Sequence, residues 1–263
     1  MELYQDQFSA EYDYPHQTQT SKTLVIASTV RSGSHMLGHV LRQTDAFGFP
    51  LEYVNKHNLS EWKKRFNRRS LSGVLEDVMA KRTSPNGVFG IKIHYSHIAR
   101  FGGFSALCEM LPNPHFVLLT REDVMAQAVS LAIARQTGSW ISGQSDTRNE
   151  PEYRFSDIDD GLRRVCMENA SWQYALSASG RRYMQIHFSD VKANTANAVL
   201  RIADFMGVAV DTRKIPQVPV TKSQGSELNK QWLTKFQQEF DGDNELLRYN
   251  PESMWHKLSK KLS

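Results

Sequence analysis

Short apolar runs alternate along the chain with stretches of helical spacing. Leu24, Val25, Ile26 and Ala27 form a run too short for a buried helix and suited to an interior parallel strand. Met36, Leu37, Val40 and Leu41 then recur at the spacing of an amphipathic helix. Leu71, Val74, Leu75, Val78 and Met79 predict a second such helix, ending before Pro85-Asn86-Gly87, and Val88 to His94 (VFGIKIH) predicts the next strand. His115 to Thr120 (HFVLLT) is a third strand, and Asp123 opens a helix with Val124, Met125, Ala128, Val129 and Ala132 inward. Ile158, Leu162, Val165, Cys166, Asn169, Trp172 and Leu176 trace a long helix, after which Tyr183 to Phe188 (YMQIHF) reads as a fourth core strand. Ala198, Val199, Ile202, Ala203 and Met206 lie on a helix stopped by Gly207, and Leu228, Trp232, Phe236 and Phe240 mark a last one. Strands separated by helices imply right-handed crossovers. The expected fold is therefore α/β, a parallel sheet of four to five strands flanked by helices in a single domain.

The segments without a period carry the exceptions. Residues 1–21 are polar and rich in Gln and Tyr, and predict a flexible N-terminal arm able to order against a partner subunit, with 22–263 as the domain. Gly48 to Asn55 is a Gly/Pro loop, and Gln136 to Ser156 is long enough to be a lid or substrate loop. Residues 211–225, with Pro216, Pro219 and Gly225, form another loop.

At 263 residues the chain can bury a full core. Its net charge of +4 suits an anionic small molecule better than a nucleic acid, and the basic cluster Trp62 to Arg69 reads as a solvated helix face. Cys108 and Cys166 alone do not make a disulfide framework, so a reducing compartment is expected. No apolar run reaches membrane-spanning length and residues 1–20 lack the core of a signal peptide, which together predict a cytoplasmic protein.

The chemistry concentrates between the first strand and the first helix. Ser28 to Ser34 (STVRSGS) is small, hydroxylated and cationic, as a loop must be if Arg31 and the N–H groups of Ser32, Gly33 and Ser34 are to hold an anion at a helix start. The Gly-Lys-Ser/Thr ending of nucleotide triphosphatases is missing. The plain alternative is a strand-to-helix turn with a Ser N-cap. His35 and His39 have zinc-compatible spacing, but no third ligand stands nearby, and packing is the better reading; no metal is expected. Lys92 and His94 end a core strand, where ligands of open α/β sheets gather.

Ser28-x-x-Arg31-Ser32-Gly33-Ser34 resembles the 5′-phosphosulfate loop of sulfotransferases that use 3′-phosphoadenosine 5′-phosphosulfate (PAPS). Gly48-Phe49-Pro50-Leu51-Glu52-Tyr53, Gly87 to Lys92, Arg121-Glu122-Asp123 with Gln127-Ala128-Val129-Ser130, Gln136 to Trp140, and Gln224 with Leu228-Asn229 and Trp232 follow in the order seen in the trehalose 2-sulfotransferase-like family. That resemblance implies a P-loop-like sulfotransferase fold, with PAPS as donor and adenosine 3′,5′-bisphosphate (PAP) as product. It implies Arg31, Ser32, Gly33, Ser34 and His35 around the 5′-phosphosulfate, His35 standing where family members often carry Thr. It implies Arg121 and Ser130 on the 3′-phosphate, although their spacing is a residue longer than in many sulfotransferases and Glu122 is a misplaced charge. Glu52 is then the general base, its pKa expected to be raised by burial among Phe49, Leu51 and Tyr53, with His94 and His57 as rivals. Lys222 and Gln224 stand within reach of donor or acceptor. The acceptor is expected to be a hydroxyl of a carbohydrate, trehalose or glycolipid-like, or of another polar small molecule, with Trp62, Phe66, Trp140, Tyr153 and Phe155 able to stack on it. Dimers are common in that family, so a homodimer is expected. A nucleotide kinase and a catalytically silent nucleotide-binding protein are the competing readings; Arg31, Glu52 and Arg121 together argue against the silent one.

Overall fold

The computed structural model describes residues 7–140, 150–216 and 227–242. Its sheet has four strands, β1 (Lys22–Ser28), β2 (Val88–His94), β3 (Pro114–Thr120) and β4 (Tyr183–His187), all parallel and in the order β2-β1-β3-β4. The helices are α1 (Ser34–Gln43), α2 (Lys56–Arg65), α3 (Leu71–Arg82), α4 (Ile98–Phe101), α5 (Phe104–Met110), α6 (Val124–Thr137), α7 (Phe155–Ser179), α8 (Phe188–Ala193), α9 (Thr195–Met206) and α10 (Glu227–Glu239).

Because β1 is central and covered on both faces, every residue of its apolar run is fully buried, which explains why the run is continuous rather than alternating. Leu24 and Ile26 pack towards α1 and α9, whereas Val25 and Ala27 pack towards α3, α4, α5 and α7. Each such Leu, Ile or Val contributes about 1.5–3 kcal/mol. A third cluster joins α6 and α7 to α10 through Ala128, Val129, Ala132, Ile158, Trp232 and Phe236.

Three expectations are corrected. β4 is an edge strand in which only Ile186 is fully buried, since it pairs with β3 alone; Phe188 leaves the ladder and opens α8. The segment expected as a loop from Gln136 to Ser156 begins later and ends earlier, because α6 runs to Thr137 and α7 starts at Phe155; residues 141–149 lie outside the described residues. Leu51 adds a single parallel bridge to Ile91, so the loop after α1 is pinned to the sheet, and the N–H of Lys92 donates to the Leu51 carbonyl at 2.8 Å. Gly90 permits this approach: a Cβ there would lie 2.2 Å from the Phe47 carbonyl oxygen.

Residues 7–21 make contacts within the chain. Arg82, 1% exposed, ion-pairs with Asp13 at 2.8 Å and donates to the Ser9 and Gln7 carbonyls at 2.9 and 3.1 Å. Its guanidinium lies over the rings of Tyr12, Phe49 and Trp62. Among the described residues no helix is long and apolar enough to cross a membrane.

Candidate active site

The loop between β1 and α1 contains two left-handed residues, Arg31 at φ 62° and Gly33 at φ 87°. A side chain at Gly33 is excluded twice, by that φ and by the Phe188 ring, 2.1 Å from where a Cβ would sit. Gly33 is also the N-cap of α1, and no side chain caps it. The plain Ser-capped turn is therefore not what forms; the first N–H groups of α1 are left to another partner. Ser32 is fully buried, and its Oγ has no hydrogen-bond partner among the described residues; Ser34 is buried in the first turn.

The second predicted anion position arrives at the same place. The Arg31 Nε–H donates to Ser130 Oγ at 2.9 Å, its Nη1 donates to the Trp140 carbonyl, and Arg121 Nη1 donates to the Arg31 carbonyl at 3.4 Å. Burial, and then the charge of Arg121, push the Arg31 pKa down to about 10; burial lowers that of Arg121 as well, with Asp123 opposing. Two guanidinium groups have thus been desolvated side by side above an uncapped helix start, which is a setting for a polyanion. Glu122 does not interfere as its position in sequence suggested, since its carboxylate accepts from Ser189 Oγ at 2.6 Å on α8.

A charged cluster occupies the adjoining end of β2. The Glu52 carboxylate meets Lys92 Nζ at 3.0 Å, His94 Nε2 at 3.3 Å, His97 Nε2 at 3.5 Å and the Asn55 side-chain amide at 3.2 Å. His94 is joined through Nδ1 to Ser28 Oγ at 3.2 Å, so this cluster touches the last residue of β1, where the anion loop begins. The expectation of a raised Glu52 pKa is overturned. Burial pushes it up, but Lys92 first, and then His94, pull it well below the usual carboxylate range. Lys92 is neither a solvated strand end nor a lone cation, being 5% exposed and paired to Glu52. His35 stands in the first turn of α1 against the His39 ring, and burial, with Lys92 and His39 adding to it, drives its pKa down to about 2. The His35 ring is neutral at neutral pH, and no group of three or more His, Cys, Asp or Glu among the described residues is placed to hold a metal.

The family model described as Stf0 sulphotransferase matches residues 23–239. The chain belongs to the Stf0 sulphotransferase family. It is 23% identical over 255 residues to a trehalose 2-sulfotransferase of Mycobacterium tuberculosis, covering 82% of this chain and 94% of that one. A trehalose 2-sulfotransferase of Mycolicibacterium smegmatis is 22% identical over 259 residues, covering 84% and 96%. Among solved structures, a sulfotransferase from Alicyclobacillus acidocaldarius superposes with a TM-score of 0.48 at 14% identity, covering 83% of this chain and 91% of that one. Mouse sulfotransferase SULT7A1 complexed with PAP superposes with a TM-score of 0.46 at 11% identity, covering 76% and 64%.

In this Stf0 sulphotransferase the aromatic residues expected to stack on an acceptor are mostly committed elsewhere. Trp62 is 3% exposed between Phe8 and Phe66, Tyr153 packs on Trp232, and Phe155 stacks on Phe236; of the five, Trp140 is the exposed one, at 42%. His57 is exposed in the first turn of α2 and is not among the four groups that contact Glu52. Lys222 and Gln224 lie outside the described residues.

Sequence reasoning missed His97, Asn55, Gln127 and Trp172. Gln127 was visible only as a member of the motif Gln127-Ala128-Val129-Ser130 and Trp172 only as a helix-face position, and helical spacing reports burial but not what the polar end of a side chain meets. Gln127, fully buried, donates from Nε2 to Thr29 Oγ1 at 2.7 Å and to the Val30 carbonyl at 2.6 Å. Trp172, also fully buried, donates from Nε1 to the Ser28 carbonyl at 3.0 Å.

Proposed function

We propose that this Stf0 sulphotransferase moves a sulfuryl group from PAPS to a hydroxyl of a carbohydrate or similar polar small molecule. The observation that carries the donor assignment is the convergence of Arg31, Ser130 and Arg121 beside the uncapped start of α1. The Gly-Lys-Ser/Thr ending of a nucleotide triphosphatase loop is missing, and two guanidiniums side by side stand ready for the anionic groups of PAPS instead. Arg31 and the N–H groups of Ser32 to Ser34 take the 5′ side, and Arg121 with Ser130 the 3′ side. The bond from sulfur to the phosphate oxygen breaks as a bond from sulfur to the acceptor oxygen forms, and the acceptor proton passes to Glu52. By analogy with phosphoryl transfer the transition state is loose, so the protein's work is positioning and neutralising the leaving phosphate, which falls to Arg31. A carbohydrate acceptor is supported by the two trehalose 2-sulfotransferases at 22–23% identity.

Arg121→Ala should weaken PAP binding about tenfold or more, the worth of a charge-assisted contact, while adenosine 5′-monophosphate loses less because it has no 3′ group. Calorimetric titration of both nucleotides decides it. Equal losses would remove Arg121 from the 3′ position.

Assembly as a homodimer belongs to the same proposal and is supported by the family resemblance; Trp232 and Phe236 of the last helix are buried against α6 and α7 of their own chain and take no part in it. Light scattering at micromolar protein should give twice the chain mass of about 30 kDa. A mass of one chain would refute the dimer.

A further inference from the structure

The backbone of the donor loop is held from behind by side chains of three different elements. The Ser28 carbonyl receives Trp172 Nε1–H from α7, the Val30 carbonyl receives Gln127 Nε2–H from α6, and the Arg31 carbonyl receives Arg121 Nη1 just after β3. In a planar trans peptide the carbonyl and the following N–H point in opposite directions, so a donor fixed on a carbonyl fixes where the next N–H points. Holding the carbonyls of Ser28, Val30 and Arg31 therefore turns the N–H groups of Thr29, Arg31 and Ser32 to the opposite side. The same contacts restrain a non-glycine residue, Arg31, at φ 62°, a conformation that needs support from its surroundings. Gln127 is the most committed of the three. Both of its amide protons are used on the loop, one on Val30 and one on Thr29 Oγ1, although the side chain is fully buried and its Oε1 has no hydrogen-bond partner among the described residues. A buried polar group left half satisfied is costly where packing is its only task, and an apolar residue of that size would do as well there.

We propose that Gln127, backed by Trp172, is a positioning residue for donor binding: by holding the Val30 carbonyl and Thr29 Oγ1 it fixes the backbone leading into Arg31 and Ser32, and so the place of the Arg31 side chain and of the N–H groups from Ser32 onward, without touching the donor itself. The inference rests on the donor assignment above, and the test separates the two. Gln127→Met keeps the volume and removes both donated protons; Trp172→Phe keeps a buried ring and removes the indole N–H. For Gln127→Met, PAP affinity and the KM for PAPS should worsen about tenfold or more. The KM for the acceptor should stay near native, and the melting temperature measured without ligand should shift by no more than a few degrees. Trp172→Phe should act in the same direction on the donor. Gln127→Glu adds a readout that a packing role would not move. Its carboxylate has no proton to donate to Val30 and repels an anion, whereas its protonated form can donate one, so PAP affinity in this variant should improve as pH falls from 8 to 6 by more than in the wild type. Wild-type protein that binds PAP while Gln127→Met binds it equally well overturns the positioning role alone. Wild-type protein that does not bind PAP overturns the donor assignment and this inference with it. A parallel loss of donor KM, acceptor KM and melting temperature in Gln127→Met makes the residue structural and overturns the inference too.

Discussion

Glu52→Gln is expected to lower turnover at saturating PAPS by about a hundredfold or more, while PAP affinity stays near native. The substitution keeps the shape of a side chain that Lys92, His94, His97 and Asn55 surround, and leaves an amide oxygen to receive some of their protons. What it removes is the only anionic site among those contacts able to take the acceptor's proton. A carboxylate held well below its usual pKa is a poor base towards a free alcohol. It is adequate in a loose transfer, because the acceptor oxygen becomes strongly acidic only as its bond to sulfur forms, and the proton then moves downhill. Since Glu52 stays ionised through the working range, the wild-type turnover should show no acidic limb from this residue above about pH 5. His94→Asn should cost less than Glu52→Gln, through a looser Glu52 rather than a lost base. Turnover of both variants across pH at saturating PAPS tests the assignment. Near-native turnover in Glu52→Gln, or an activity that survives there and disappears only in His94→Asn, gives the proton to the imidazole instead.

The second large effect is on stability in mild acid. Burial is the main cause that lowers the His97 pKa to about 3 and the His35 pKa to about 2, from an ordinary value of 6.5. Between those values the unfolded chain binds protons that the folded chain refuses. The stabilisation from these two neutral rings is therefore complete above about pH 6.5 and is lost progressively as pH falls towards 3. Glu52 acts with the same sign but lower on the scale, its contribution being present above the ordinary carboxylate pKa and lost as pH falls through its depressed folded value. From pH 7.5 to pH 5 each imidazole should give up about 2 kcal/mol, some 4 kcal/mol together. For a chain of this size that lowers Tm by roughly 10 °C. Thermal unfolding followed by circular dichroism at fixed ionic strength measures it, and His35→Thr, which removes one of the two titrations, should flatten the slope by about half. A Tm that holds constant from pH 7.5 to pH 5 would contradict the buried, neutral state of both rings.

The parts of this fold legible in sequence are those decided by local pattern. β1 and β2 were readable because burial on both faces leaves an unbroken apolar run, and α1 and α9 because one apolar stripe faces the sheet. β4 was read as a core strand because Tyr183, Met184, Ile186 and Phe188 make a short run rich in apolar residues; its place at the edge depends on which strand it pairs with, and that is not a local property. The loop carrying Arg31 was read as an anion site from residue type, the family resemblance pointed to Arg121 and Ser130, and the fold brings the three side chains together. The electrostatic state of Glu52 was not legible, because its neighbours in sequence are apolar while the groups that set its charge, Lys92 and His94, come from another strand. Local surroundings predicted a raised pKa and tertiary ones produced a lowered one. The same holds for Gln127 and Trp172, whose polar ends cross to a loop almost a hundred residues or more away in the chain.

The central place of β1 also has a meaning for the order in which the protein can be built during synthesis. β1 leaves the ribosome before the other strands, yet its nearest partner in the sheet is far behind it, Ser28 standing opposite His94, 66 positions further on. Its other neighbour, β3, is made later still, and β4 can join only after the whole of α7. An apolar strand that is buried on both faces at the end must therefore wait, unpaired, while α1, α2 and α3 form around it, and sheet formation becomes a non-local, late event. During that interval the run from Leu24 to Ala27 is the part of the nascent chain with most to gain from a chaperone.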